Sequence, residues 1–243
     1  MINANDLTFF TNEPGATLLD RFKKTLRDVK FFDILVGYFR TSGFDRLHES
    51  FASIEKIRVL VGLNVDRKTI DIINEYHYQA KLDFESHKRT KEIFSETVTT
   101  EMDNSPDSFE TELGVRKFIE FLRSGKMEIK AYPSGNLHAK VYISRFGEDD
   151  RDYGRVITGS SNFSESGLIA NREFNVELKD RADVEFALAQ FEELWKDAVD
   201  LSQEYVDTIN DKTWLNDEIT PYHLYLKFLY EHFREDINID EDF

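Results

Sequence analysis

Apolar and polar positions alternate with two different periods along this chain, and the switches between the periods outline its elements. Asp6 to Asn12 reads as a short strand, and Leu18, Leu19, Phe22, Leu26 and Val29 then recur at helical spacing through residue 30. Phe31 to Phe39 is nearly continuous apolar residue, which predicts a strand covered on both faces. A turn and helix over 42–54 lead into Lys56 to Leu63, where Ile57, Val59, Val61 and Leu63 alternate as in a strand. A helix is expected from about Lys68, ending before the polar stretch Thr97 to Asp107, which reads as a mobile loop. Phe109, Leu113, Phe118 and Leu122 mark the next helix, and strands follow at 127–132, 138–143, 155–158 and 173–178. Val184, Leu188, Phe191, Trp195, Ala198 and Tyr205 stripe one long helix, and Pro221 opens a last amphipathic one. Strands and helices alternating at this spacing predict an α/β sandwich, with a mixed, mostly parallel sheet flanked by helices. Residues 1–202 form the expected domain, and 203–243 an acidic helical extension or connector.

Composition narrows the chemistry. With 243 residues, 40% of them hydrophobic, the chain is large enough to bury a real core. It has no cysteine, so a disulfide framework, a thiolate metal site and a cysteine nucleophile are all excluded. The start lacks a basic segment followed by an apolar one, and Phe31 to Phe39 is too short to span a bilayer and contains Asp33. A cytoplasmic protein with no membrane partner is expected. The net charge of −16 argues at first against a polyanionic partner, but the charge is unevenly spread. Residues 180–243 hold 18 acidic against 5 basic residues, which leaves 29 against 26, a net of −3, in residues 1–179. A second acidic stretch, Glu96 to Glu112, carries six acids and no base, so its surroundings are slightly basic. Both acidic stretches read as solvated faces.

The informative stretch is His138 to Glu177. Side chains alternate across a strand, so His138, Lys140 and Tyr142 share one face while Ala139, Val141 and Ile143 share the other. The same rule sets Glu173, Asn175 and Glu177 opposite Phe174, Val176 and Leu178. Between them, Thr158-Gly-Ser-Ser-Asn-Phe-Ser164 closes a strand in a turn whose free backbone N–H groups are expected to hold an anion. Two presented polar faces and an anion-binding turn make a candidate phosphate site.

His138-Ala-Lys140, Gly159-Ser160-Ser161-Asn162 and Asn171-Arg-Glu173 together resemble the His-Lys motif of the phospholipase D superfamily. The likeness is greatest to its nuclease-like branch with one motif per chain, which includes metal-independent restriction endonucleases. The chain is also similar to the N-terminal domain fused ahead of superfamily 2 helicases in bacterial defence systems. Val36-Gly-Tyr-Phe39, Ser42-Gly-Phe44 and the connector-like Thr220 to Glu231 support this. The family often has aspartate five residues after the lysine, where this chain has Arg145.

The resemblance implies a phospholipase D-like sandwich and a metal-independent phosphodiesterase acting on nucleic acid, DNA in the first instance. It implies that the His138 imidazole attacks phosphorus to give a phosphohistidine, while a second histidine protonates the leaving oxygen. With one motif per chain, that second histidine comes from another copy, so a homodimer sharing one active site is implied. Lys140 would screen the nonbridging oxygens, Asn162 and Ser160 would donate hydrogen bonds, and Glu173 would orient His138. Ser161, Tyr38 and Ser42 are the further substrate-binding candidates, although Tyr38 fits the core equally well. No cofactor and no metal are implied, and His48, His77, His87, His223 and His232 show no paired ligand spacing.

A lone histidine in a strand is more often structural than nucleophilic, and only the joint pattern with Lys140, Gly159, Ser160, Asn162 and Glu173 reverses that reading. The rival class is a non-catalytic module that keeps the fold to bind DNA, to dimerise or to position a helicase. A lipid hydrolase is weaker, since no amphipathic basic helix or apolar lid is evident.

Overall fold

The computed structural model describes residues 8–62, 88, 91–96, 98–99, 109–132, 137–147 and 152–212. The expected strand contracts to β1 (Phe9–Thr11), and α1 (Leu18–Thr25) follows with a tight turn over Leu26–Asp28. Thr17 starts α1 because its hydroxyl accepts the Asp20 N–H at 3.1 Å while the Asp20 carboxylate accepts the Thr17 N–H at 3.1 Å. Next come β2 (Phe31–Val36), a short α2 (Thr41–Asp45), β3 (Lys56–Gly62), α3 (Phe109–Arg123) and β4 (Met127–Tyr132). The chain continues through β5 (Val141–Arg145), β6 (Gly154–Gly159), β7 (Phe174–Leu178), α4 (Arg181–Lys196), β8 (Val199–Asp200) and α5 (Ser202–Lys212).

The eight strands form one sheet in the order β1-β7-β6-β5-β2-β3-β4-β8. It is mixed, as expected, but it is not mostly parallel: β2–β3 and β3–β4 are parallel, and the other five pairings are antiparallel. The physical reason lies in the connections. Only eight residues separate β5 from β6, too few for the crossover that a parallel neighbour needs.

Strand alternation distributes the core over both faces of the sheet. Phe32, Ile34, Val36, Ile57, Val59, Val61, Ile129 and Tyr142 pack on one face with Phe22, Phe44, Phe118 and Tyr205 from the helices. Leu35, Leu60, Ile143 and Val156 meet Val184, Phe191 and Trp195 of α4 on the other. The doubly covered β2 therefore answers to its continuous apolar run, with Asp33 buried against Arg58 and Arg145.

Three expectations change. The single long helix of 184–205 is two helices, because Val199 pairs with Ala131 in the sheet and the Asp200 carboxylate caps the next helix by accepting the Ser202 N–H at 2.8 Å. Val98 and Thr99 are helical rather than loop; the rest of Thr97–Asp107 lies outside the described residues. So do most of the helix from Lys68 and the one opened by Pro221. Of the 203–243 extension, α5 packs Tyr205, Val206 and Ile209 into the first core, and residues beyond 212 are outside the description.

Candidate functional site

Five chain segments meet at one end of the sheet. β2 and β3 run toward it, β5 leaves it, β6 returns and β7 leaves again, so Gly37, Gly62, residues 137–140, the turn after Gly159 and residues 171–173 converge. His138 and Lys140 lie just ahead of β5 rather than inside it, in a segment held to β6 where Lys140 O accepts the Gly159 N–H at 3.3 Å. The alternation still holds across the junction: Tyr142 goes into the first core while Ala139, Val141 and Ile143 pack on the second.

Gly37 shows how closely the key side chains gather. A Cβ at that position would stand 3.4 Å from Asn162 Oδ1, 3.7 Å from Lys140 Nζ and 3.9 Å from His138 Nδ1. Three polar groups from two segments thus line a recess floored by the glycine backbone. Asn162 is held there because its Oδ1 accepts the Tyr38 N–H at 3.3 Å, and the Phe39 and Phe163 rings stack at 4.8 Å and 3° just beyond. The Arg40 N–H donates to Phe163 O at 2.9 Å, which ties the two loops a second time. Lys140 Nζ donates to His138 O at 2.8 Å, so the two motif residues fix each other. At the floor of the site, a Cβ on Gly62 would come within 2.3 Å of Leu137 O, which leaves only glycine room for the segment that carries His138.

The scaffold beneath is a chain of buried hydrogen bonds. Tyr142 Oη donates to Ser161 O at 2.8 Å, and Asn175 Nδ2 donates to Ser161 Oγ at 3.0 Å. Burial first, and then the charge of Glu173 and the neighbouring Tyr38, push the Tyr142 phenol well above its ordinary range, so it remains a donor to the turn.

The remaining candidates separate into those near the cradle and those that support it. Glu173 lies close enough to act on Tyr142, and its Oε1 accepts from Asn171 Nδ2 at 3.3 Å; no hydrogen bond among the described residues joins it to His138. Ser160 is exposed and exchanges hydrogen bonds with the Phe174 backbone, its Oγ accepting the Phe174 N–H at 3.1 Å. Ser161 is fully buried with its hydroxyl committed to Asn175, so its side chain is scaffold rather than a substrate contact. Ser42 Oγ accepts the Glu165 N–H at 3.5 Å, at the back of the turn rather than in the cradle. Tyr38 is exposed, not core.

Two expectations about polar surfaces are corrected. Asn175 and Glu177 do not face solvent: they are 2% and 4% exposed, and Glu177 forms an ion pair with Arg21 of α1 at 2.9 Å. The apolar side of β7 is the open one, with Phe174 71% exposed. The turn also does not offer its N–H groups freely, since those of Gly159, Ser160, Ser164 and Gly167 are spent on Lys140 O, Phe174 O, Asn162 O and Ser164 Oγ. The residues missed by sequence reasoning are Gly37 and the Tyr142–Asn175 scaffold; a glycine interrupting the apolar run of β2 was the available signal for the first.

Gly37→Ala provides a direct test of the recess. The added methyl makes only ordinary contacts with the three polar atoms, so the fold should accept it, yet it occupies the space a substrate oxygen would need. Phosphodiester turnover is expected to fall about 10²-fold, with an unchanged melting temperature. Unaltered turnover would show that the recess is not where substrate binds.

A sandwich that gathers His138, Lys140 and Asn162 at the ends of its central strands defines a phospholipase D-like domain. The chain belongs to that family: residues 18–195 match the family described as cardiolipin synthase, PLD-like domain. A search of curated proteins returns no match. Among solved structures, NucT from Helicobacter pylori is 14% identical at a TM-score of 0.42, covering 79% of this chain and 96% of its own. The phospholipase D family member Nuc from Salmonella typhimurium is 12% identical at a TM-score of 0.43, covering 79% of this chain and 95% of its own. Phosphatidylserine synthase from Haemophilus influenzae is 13% identical at a TM-score of 0.46 and covers 94% of this chain, which spans 44% of it. Family membership rests on the sequence match.

Proposed function

We propose that this chain is a metal-independent phosphodiesterase that cleaves nucleic acid, DNA in the first instance, through a covalent histidine intermediate. The observation that carries the reading is the convergence of His138, Lys140 and Asn162 around the Gly37 recess. A neutral His138 imidazole nitrogen attacks phosphorus as the P–O bond to the leaving group breaks. The leaving oxygen takes a proton from His138 of the partner subunit. Water then attacks phosphorus, losing its proton to that second imidazole, as the P–N bond breaks and releases His138. Lys140 Nζ screens the nonbridging oxygens, the Asn162 amide positions them, and Glu173 orients the imidazole.

The need for two histidines supports a homodimer, since one His-x-Lys motif with its Gly-Ser-x-Asn partner occurs in the chain. The surface beside the site suits such a contact. Phe9 and Phe174 are 69% and 71% exposed on the adjoining strands β1 and β7, and Phe174 is bonded through its backbone to Ser160. The similarity of 220–231 to a helicase connector supports a place at the N-terminus of a helicase or restriction protein in the cytoplasm. No helix among the described residues is long and apolar enough to cross a membrane.

The test is hydrolysis of bis(p-nitrophenyl) phosphate and of plasmid DNA in excess EDTA. Cleavage is expected to persist. Dependence on added magnesium or manganese would replace the histidine mechanism with a metal-assisted one. Inertness toward both substrates would favour a binding module that retains the fold.

A further inference from the structure

We infer that Tyr38 and Arg40 form a stacking platform for an unpaired nucleobase beside the cradle, so that the substrate is a single-stranded nucleic acid. This rests on the phosphodiesterase reading above and adds the strand state of its substrate.

Tyr38 follows Gly37 directly, and its N–H is bound to the same Asn162 Oδ1 that lines the recess. Its backbone is therefore anchored beside the recess. The backbone is pinned on the far side as well, by the Phe39–Phe163 stack and by the Arg40 N–H on Phe163 O at 2.9 Å. Phe39 turns inward to 8% exposure, and alternation turns Tyr38 outward to 39%. An aromatic ring left in water on a doubly pinned backbone is a preorganised contact surface, because little entropy remains to be lost on binding.

Arg40 lies against that ring. Its guanidinium carbon lies 5.6 Å from the Tyr38 centroid, a cation–π distance, and the side chain has no carboxylate partner among the described residues. In a chain of net charge −16 an arginine with no carboxylate partner among the described residues is a cation available to a flanking phosphate. The combination of ring and planar cation suits a base with its own phosphate. A base pair inside a duplex has both faces already stacked, so an aromatic platform this close to the recess engages only a base that is unpaired or extruded.

The experiment measures binding by fluorescence anisotropy, using a labelled eight-residue oligothymidylate and an abasic phosphodiester of equal length and charge. Wild type is expected to bind the oligothymidylate about tenfold more tightly than the abasic chain. Tyr38→Ala should reduce that preference to within about twofold while leaving abasic affinity unchanged, which also reports that the variant is folded, and Tyr38→Trp should retain the preference. Equal affinity of wild type for both oligomers, or an equal loss on both in Tyr38→Ala, would overturn the platform and leave the phosphodiesterase reading standing. Failure of wild type to bind either oligomer would remove the nucleic-acid reading itself, and the platform with it.

Discussion

Replacing His138 with alanine should lower phosphodiester turnover by about 10⁴-fold or more, because in the proposed mechanism it removes the nucleophile and closes the whole covalent route rather than weakening one contact. The fold should survive. His138 is exposed, it sits ahead of β5 rather than within the sheet, and its only hydrogen bond among the described residues is made by its backbone carbonyl, to Lys140. Denaturation midpoints of the variant and wild type are therefore expected to coincide within experimental error. The same variant tests the dimer. When His138→Ala chains are mixed with wild type under exchange conditions, activity should drop below simple dilution, since in the proposed mechanism every mixed dimer lacks either the nucleophile or the acid that the reaction needs together. Activity proportional to the wild-type fraction would mean that each chain works alone. A variant as active as wild type on bis(p-nitrophenyl) phosphate would remove His138 from the chemistry altogether.

The sequence shows the central strands well and their pairing poorly, for a physical reason. Periodicity reports which faces are buried, and the alternation of Ile57, Val59 and Val61 or the unbroken run of β2 is decided by burial. Strand direction is decided by connection length, and the eight-residue link from β5 to β6 settles it only when read as a limit on crossovers. The cradle was legible for a related reason: His138, Lys140 and Asn162 are polar residues that no core explains. The inverted face of β7 was not legible, because period-2 alternation assigns two faces without saying which is inside. Asn175 and Glu177 point inward only because Arg21 on α1 and Ser161 on the turn receive them, and those partners lie 156 and 14 residues away. Gly37 stayed hidden because a glycine announces room and not what shares it.

The same reasoning explains Arg145, which occupies the place of an aspartate common in the family. Five residues of extended chain separate it from Lys140, roughly 16 Å at about 3.3 Å per residue, so it does not belong to the cradle. It instead meets Asp33 on the neighbouring strand, with its Nη2 3.1 Å from Oδ2, while Arg58 Nε donates to Oδ1 at 2.6 Å. Arg58 Nη1 also reaches Glu192 of α4 at 2.7 Å, and its guanidinium lies 4.9 Å from the Phe191 centroid. Burial opposes the charge on Arg58, but hydrogen bonds to Asp33 and Glu192 outweigh that and hold it more firmly protonated than usual. Asp33 is 1% exposed and is the one carboxylate shared by both arginines, whose Arg58 Nη2 and Arg145 Nε atoms are already buried without a partner. Asp33→Ala would leave Arg145 without its carboxylate and Arg58 with Glu192 alone, so unfolding in urea should show a loss of about 3 kcal/mol. Arg145→Met, which leaves Asp33 its stronger partner, should be milder and should leave turnover per folded molecule at the wild-type level. Replacing Asp33, Arg58 and Arg145 together with apolar residues of similar volume should recover much of the loss, as expected where desolvation offsets most of an ion pair's attraction. A change below about 1 kcal/mol for Asp33→Ala would show that water already satisfies both guanidinium groups. A collapse of turnover in a fully folded Arg145→Met protein would return that residue to the active site.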